Sequence, residues 1–369
     1  MKPRTPRLQL SNIGEAVISP LAISDENRVC NPSIAASDRG FCCVIRSVNY
    51  DLDSHGRVLV APEGGFESFN WLADLDADFR IARIERIDDS AVGIDRQLWN
   101  RIEDCRLFRW KDAWWFTATW VLHDEPRGCQ MMLGRLEGSK VIEWYLLPSP
   151  TDSPMEKNWM PCVDGDLLKW IYWIDPMEVL AFRDGEIFRK RLSRYGRLEK
   201  WAGSSPLVRY RGNWLAVVHL RKNTRELCSF EHRLIELDND FHLKRMSPAF
   251  TFEGEDVEYC AGFCLTQTHA ILSYGIWDRE AKVMRLDLSV VEAMLRPLRV
   301  PRWLSILVTD MWRVARPWIR QPRKKLHEAL GSRGFGVLGT FGLSDIAISA
   351  AEYADLTMQL TRQCIRLAL

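Results

Sequence analysis

The 369-residue sequence has little of what marks several common enzyme classes. Its seven histidines are scattered, with no H-E-x-x-H or comparable ligand spacing, so no metal site is indicated. Ten cysteines occur without a C-x-x-C pair. No apolar run approaches the ~18 residues of a membrane span. The opening stretch MKPRTPRLQLSNIGEAV has no apolar core of a signal peptide. Reduced thiols in the cytoplasm are therefore expected. The net charge of +1 gives no ground for a nucleic-acid partner, and none is expected. No cofactor is expected either. Gly334, Gly336 and Gly339 fit G-x-G-x-x-G, but a basic helical segment precedes them instead of a strand, so they read as a connector.

What the chain does have is tryptophan and repetition. There are sixteen tryptophans. Each offers a flat apolar face and one N–H donor, which suits either a core or the apolar face of a sugar ring. Five segments share one plan: polar residues, a Pro or Cys, an apolar residue, a short turn, then a strand rich in Trp, Val, Ile and Tyr. They open at Asn31-Pro32-Ser33-Ile34, Glu103-Asp104-Cys105-Arg106, Asn158-Trp159-Met160-Pro161, Ser204-Ser205-Pro206-Leu207 and Glu258-Tyr259-Cys260-Ala261. Their spacing of 45 to 73 residues fits one four-stranded blade of about 40–50 residues plus loops. Asp38-Arg39-Gly40, Lys111-Asp112, Asp164-Gly165-Asp166 and Arg211-Gly212-Asn213 are hairpin-turn chemistries within these units. A second repeat matches Leu75–Ile84 to Leu237–Met246. The expected fold is all-β: a five-bladed β-propeller over residues 25–290, after an N-terminal segment 1–24.

Residues 291–369 have helical periodicity broken by Pro297, Pro301, Pro317 and Pro322. Between Arg296 and Lys325 nine Lys or Arg stand against one acid, Asp310. This C-terminal helical, basic extension is expected to pack on the propeller or a second subunit, or to make peripheral contact with an anionic membrane surface.

The five openings resemble the blade-opening motifs of five-bladed propeller carbohydrate-active enzymes. They are most similar to the family 130 glycoside phosphorylases and hydrolases and the related mannosyltransferases. The likeness covers roughly residues 25–290. The family's second blade opens Glu-Asp-Pro-Arg, where this chain has Glu103-Asp104-Cys105-Arg106. The resemblance implies that Asp104 is the proton donor and that Arg106 and His219 hold phosphate. A further family arginine is absent, since Trp173-Ile174-Asp175 stands in its place.

The residues themselves point to the same chemistry. Glycosyl transfer needs a carboxylic acid to protonate the leaving oxygen, often with a second carboxylate. Candidates are Asp104, Glu103 and Glu258, with Asp175 and Asp278 at strand ends. Glu103 and Asp104 are adjacent and should point to opposite sides of a strand. Arg46, Arg106, Lys157, His219, His232 and Arg233 are candidates for holding an anionic group. Asn31, Asn49, Tyr50, Asn158, Trp159 and Tyr259 would line a sugar pocket. The expected function is transfer or cleavage of a glycosyl unit, glycosyltransferase-like or phosphorylase-like, with a sugar or glycan substrate and phosphate or a sugar nucleotide as further partner. A glycoside hydrolase and a non-catalytic glycan-binding propeller are the alternatives.

Overall fold

The computed structural model describes residues 8–13, 16–23, 27–57, 66–94, 100–122, 128–183, 185–192, 198–223 and 227–298. The expected C-terminal helical region beyond residue 298, with the basic run from Arg299 onward and the glycine motif, lies outside them.

The described chain is an all-β propeller of antiparallel sheets. The first sheet runs Arg28–Ser37, Gly40–Val48, Ser68–Leu75, Ile81–Arg86. The second runs Arg101–Trp110, Ala113–Val121, Cys129–Glu137, Lys140–Leu147. The third runs Met160–Asp164, Leu167–Ile174, Met177–Arg183, Glu186–Arg191. A larger, eight-stranded sheet is built on Asn213–Asn223 and Cys228–Leu237, and its opening strand is split into Ala202–Gly203 and Val208–Tyr210. The last sheet runs Glu258–Leu265, His269–Ile276, Glu280–Asp287, and its outer strand is Val17–Pro20 from the other end of the chain. The N-terminal segment thereby closes the ring, and Leu8–Gln9 adds a parallel strand beside Phe250–Thr251. After the last sheet's third strand, Leu288–Met294 forms a helix with Val291 and Met294 buried, and Arg296–Pro297 pairs with Leu243–Met246. The β unit therefore reaches beyond the expected limits of 25 and 290 on both sides.

All five repeated openings fall on the opening strands of their sheets, at the entry to one (Asn158-Trp159 before Met160–Asp164) or in the gap of the split one. These strands are tied to one another. Ser33 Oγ donates to Ala261 O and accepts from Leu107 N at 2.9 Å, so one hydroxyl joins three sheets. Ser204 Oγ donates to Cys260 O, and Leu207 N donates to Pro161 O at 2.9 Å. Close approach requires small residues here. A Cβ on Gly275 would meet Asn31 Oδ1 at 2.4 Å, and one on Gly262 would meet Ile34 N at 2.2 Å.

The turns follow from their residues. Lys111-Asp112 and Arg211-Gly212 all have positive φ, the type I′ geometry whose twist matches the flanking strands. The second repeat is a turn of identical construction in two sheets. Asp76 Oδ1 accepts from Asp78 N and Arg80 N, and Asp238 Oδ1 accepts from Asp240 N and His242 N.

Between the second and third sheets, Trp110, Trp115, Trp159 and Trp170 pack with Phe182 and Leu133. Burial of each such ring stabilises by roughly 2–3 kcal/mol. Most described tryptophans thus serve the core. Cys42 and Cys43 face opposite sides of one strand, into two separate apolar clusters. The nine described cysteines are unpaired and buried. Among the described residues no helix is long and apolar enough to cross a membrane.

Candidate functional site

Opening strands start, and second strands end, at the same end of the propeller. Antiparallel pairing brings Glu103 opposite Thr119 and Glu258 opposite Ile276 there. Three of the five repeated motifs have one local feature in common at this end. Pairing skips residues between Cys30 and Ser33, between Glu103 and Arg106, and between Cys260 and Gly262. These are β-bulges, which re-aim side chains and are common beside active sites. Asn31 (φ 44°), Asp104 (φ 52°), Asn158 (φ 64°) and Asp278 (φ 50°) all have left-handed backbones. Asn and Asp tolerate that region best, and such strain persists where surrounding structure fixes it.

The bulge corrects one expectation. Glu103 and Asp104 do not face opposite ways. Both reach Arg46, whose Nη2 lies 2.8 Å from Glu103 Oε1 and whose Nη1 lies 3.4 Å from Asp104 Oδ1. Arg46 is completed by Tyr50 OH at 2.9 Å and Ser68 Oγ at 2.9 Å. Arg101 adds a second cation to Glu103, at 2.6 Å. Arg101 and Ser68 were not among the expected site residues. The signal for Arg101 is its place two residues before Glu103, on the same strand face.

Asp278 joins from the end of the last sheet's second strand. Asn31 Nδ2 donates to Asp104 Oδ1 at 2.9 Å and lies 3.4 Å from Asp278 Oδ1. Tyr50 OH donates to Asp278 Oδ2 at 3.2 Å. Burial opposes ionisation of Glu103, but Arg46 and Arg101, helped by the exposed Lys157, outweigh it and hold the carboxyl at about 2. Asp278 is shifted the other way. Burial raises it, Arg46 offsets part of that, and the charges of Asp104 and Glu103 raise it further.

Beside this group, Arg106 is wholly buried. Its Nε donates to Ser204 O at 2.6 Å, its Nη1 to Asp104 O at 3.1 Å, and its Nη2 to Asn158 Oδ1 at 3.0 Å and Tyr259 OH at 2.5 Å. A guanidinium has five N–H groups, and four bonds are already made. In this arrangement Arg106 ties together the chain segments that carry Asp104, Asn158, Ser204 and Tyr259. His219 packs edge-on against Tyr259, with ring centroids 5.1 Å apart. Burial, then the charge of Arg106, pushes its imidazole down to about 3, so it is neutral.

The remaining candidates lie elsewhere in the fold. Glu258 accepts from the backbone N–H groups of Phe252, Glu253 and Glu255 and so fixes the loop that precedes its own strand. Trp159 is fully buried in the core with its N–H on Glu156. Asp175 accepts from Leu198 N at 3.0 Å and ties down a loop. His232 is fully buried against Phe250 and Phe252. Arg233 donates to Ser247 O and lies over Trp201. Asn49 accepts from Glu67 N at 2.8 Å in the loop joining two strands of the first sheet. The group that the structure brings together is Asn31, Arg46, Tyr50, Glu103, Asp104 and Asp278, with Arg106, Asn158 and Tyr259 adjoining it.

Solved structures share this fold. A beta-1,2-mannobiose phosphorylase from Listeria innocua, in complex with beta-1,2-mannobiose, matches with a TM-score of 0.50 at 12% identity, over 75% of this chain and 96% of that one. A glycosyl hydrolase from Bacteroides ovatus matches with a TM-score of 0.50 at 12% identity, over 74% and 87% of the two chains. The likeness is one of fold. No protein-family model matches the sequence, and no curated protein matches it.

Proposed function

We propose that this chain is a glycoside-active enzyme that breaks or transfers a glycosidic bond at the Asp104 end of a five-bladed propeller. The eight-stranded sheet counts as one blade, enlarged by strands that include Leu8–Gln9 and Arg296–Pro297. The observation that carries the reading is the placing of Asp104. It sits in a strained bulge, its Oδ1 is fixed by Asn31 and Arg46, and its side chain retains 20% exposure. Among the described residues its Oδ2 accepts no hydrogen bond. A carboxyl group held by one oxygen and open at the other can protonate a leaving glycosidic oxygen.

Water is the acceptor favoured by this geometry. Arg46 and Arg106 each make four hydrogen bonds to protein partners, which leaves neither a two-pronged fork for phosphate. Transfer to a sugar hydroxyl would use the same acid and differ only in the acceptor. The test is an assay of a panel of oligosaccharides, mannosides included, with and without inorganic phosphate and with added acceptor sugars. Release of free sugar in buffer without phosphate is the expected result. Products that require phosphate would replace the hydrolase reading with a phosphorylase one, and no turnover by the folded protein on any glycan would contradict both.

A further inference from the structure

Asn31 stands in the bulge that opens the first sheet, and the second strand of the last sheet, His269–Ile276, builds its seat. Two residues of that strand, Ser273 and Gly275, lie on one face, since side chains alternate along a strand. Ser273 holds the bulge by bonding. Its Oγ donates to Pro32 O at 2.6 Å and accepts from Ile34 N at 3.1 Å. Gly275 holds it by having no side chain. A Cβ there would stand 2.4 Å from Asn31 Oδ1, 2.6 Å from Asn31 N and 3.3 Å from Asn31 Cα. The first two are too short for any real Cβ contact, and one of them is to backbone. Gly275 does not have a positive φ, so its backbone suits any residue and only the lack of space excludes one. A glycine inside a strand often marks such a close approach.

The Asn31 amide has one arrangement that fits. On one side it faces two carboxylate oxygens, Asp104 Oδ1 at 2.9 Å and Asp278 Oδ1 at 3.4 Å, so the Nδ2 group with its two N–H donors must lie there. Turned over, the amide would set its own oxygen against two acceptors. The carbonyl oxygen is thereby directed at Gly275. It is buried and accepts no hydrogen bond, which costs free energy. The left-handed backbone of Asn31 adds a second cost at the same residue. Both costs fall on the residue whose amide nitrogen holds Asp104.

We infer that Gly275 is a positioning residue that acts through Asn31: by leaving room for the Asn31 carbonyl it turns the amide N–H groups onto Asp104 and Asp278, and so fixes which oxygen of Asp104 is free to meet a substrate. Its catalytic use rests on the glycoside-cleaving reading. A methyl group at position 275 must displace both the amide and the backbone nitrogen of Asn31. Among the described residues, the side chain of Asp104 then keeps only Arg46, at 3.4 Å, and its carboxyl is free to turn. Misplacing a reacting group by about 1 Å can cost about 10²-fold in rate.

The experiment compares the wild type with Gly275→Ala, Asn31→Gly and the double variant. Glycine suits the left-handed backbone at position 31 and removes only the side chain. The first readout needs no substrate. It is the set of side-chain amide signals in a ¹H–¹⁵N spectrum of the whole protein, with Asn31 identified by its loss in Asn31→Gly. In the wild type both Asn31 protons should lie downfield of a solvated side-chain amide, because each is donated to a carboxyl oxygen. In Gly275→Ala they should move back toward the solvated position, while the backbone spectrum and melting temperature report a folded protein. The second readout is turnover on the first glycan found to be cleaved. Gly275→Ala and Asn31→Gly should each lose about 10²-fold in kcat with KM near wild type. The double variant should lose no more than Asn31→Gly alone, since both changes act on one contact. Unmoved Asn31 protons in a folded Gly275→Ala protein would overturn the inference, as would losses that add in the double variant. If Gly275→Ala does not fold, the other two proteins decide: Asn31 protons at the solvated position in the wild type, or full kcat in Asn31→Gly, would overturn it. Downfield Asn31 protons that shift in Gly275→Ala, in a protein that cleaves no glycan, would keep the seat and remove only the proposed function.

Discussion

Arg106 Nη2 lies 2.5 Å from the hydroxyl of Tyr259, a residue 153 positions away, and that hydroxyl in turn donates to Asn158 Oδ1 at 2.7 Å. Three opening segments are thereby fixed through one buried cation. Removing the cation strands several buried acceptors. Arg106→Ala is expected to lower stability by about 3 kcal/mol or more, since hydrogen bonds to charged groups contribute roughly 1.5–3 kcal/mol each. Arg106→Lys should recover little of this, because an ammonium cannot reproduce the planar fork. Denaturant midpoints of the three proteins measure it. An Arg106→Ala protein as stable as the wild type would show that the bonds to Ser204, Asn158 and Tyr259 contribute nothing net.

Glu103 should behave as an ionised strut. Its carboxyl is held at about 2 against the cost of burial by Arg46 and Arg101. Glu103→Gln leaves two arginines with a neutral partner, and breaking a buried pair in this way typically costs about 3–5 kcal/mol. Equilibrium unfolding at pH 7 tests this. A loss far smaller than that would mean solvent or Asp104 takes over the charge.

Two buried groups tilt stability with pH in opposite directions. His219 is pushed down to about 3 in the folded state, so the unfolded chain takes up its proton first as pH falls. The stability it contributes is full above the unfolded value of about 6.5 and is lost between there and about 3. Glu258 is raised to about 7 by burial, in spite of its three backbone donors. Its contribution is full below the unfolded value of about 4.3 and is lost as pH rises toward 7. Between about pH 4.5 and 6.5 the two offset each other. Urea midpoints across that range should therefore rise more steeply with pH in Glu258→Gln than in the wild type, and less steeply in His219→Gln. Parallel profiles for all three proteins would contradict the assignment.

The propeller was legible because its opening segments reuse one plan: polar residues, then a Pro or Cys, then an apolar residue, a short turn and a strand rich in Trp, Val, Ile and Tyr. The site was legible in part for the same reason, since Asn31, Asp104 and Asn158 all stand at motif openings, and all three have left-handed backbones. What alternation cannot show is a bulge, and so Glu103 and Asp104 were expected on opposite faces although both bind Arg46. Nor does local sequence reveal that a charge is already spent. The partners of Arg106 lie 52, 98 and 153 residues away. Trp159 sits one residue from Asn158, yet its ring turns into the core against Trp170 and Tyr172. Glu258 keeps an acid's place in the repeat, but the loop Phe252–Glu255 closes over it and supplies its donors.

The most direct test of the account is the turnover of Asp104→Asn beside the wild type on the first glycan found to be cleaved, with melting temperature measured on the same preparations. The amide keeps the shape and the contact with Asn31 but cannot deliver a proton. General acid catalysis contributes about 10²–10⁴-fold, so turnover should fall by at least about a hundredfold while the melting temperature and sugar binding stay close to wild type. Full turnover in a normally folded Asp104→Asn protein would contradict the central claim that Asp104 is the proton donor.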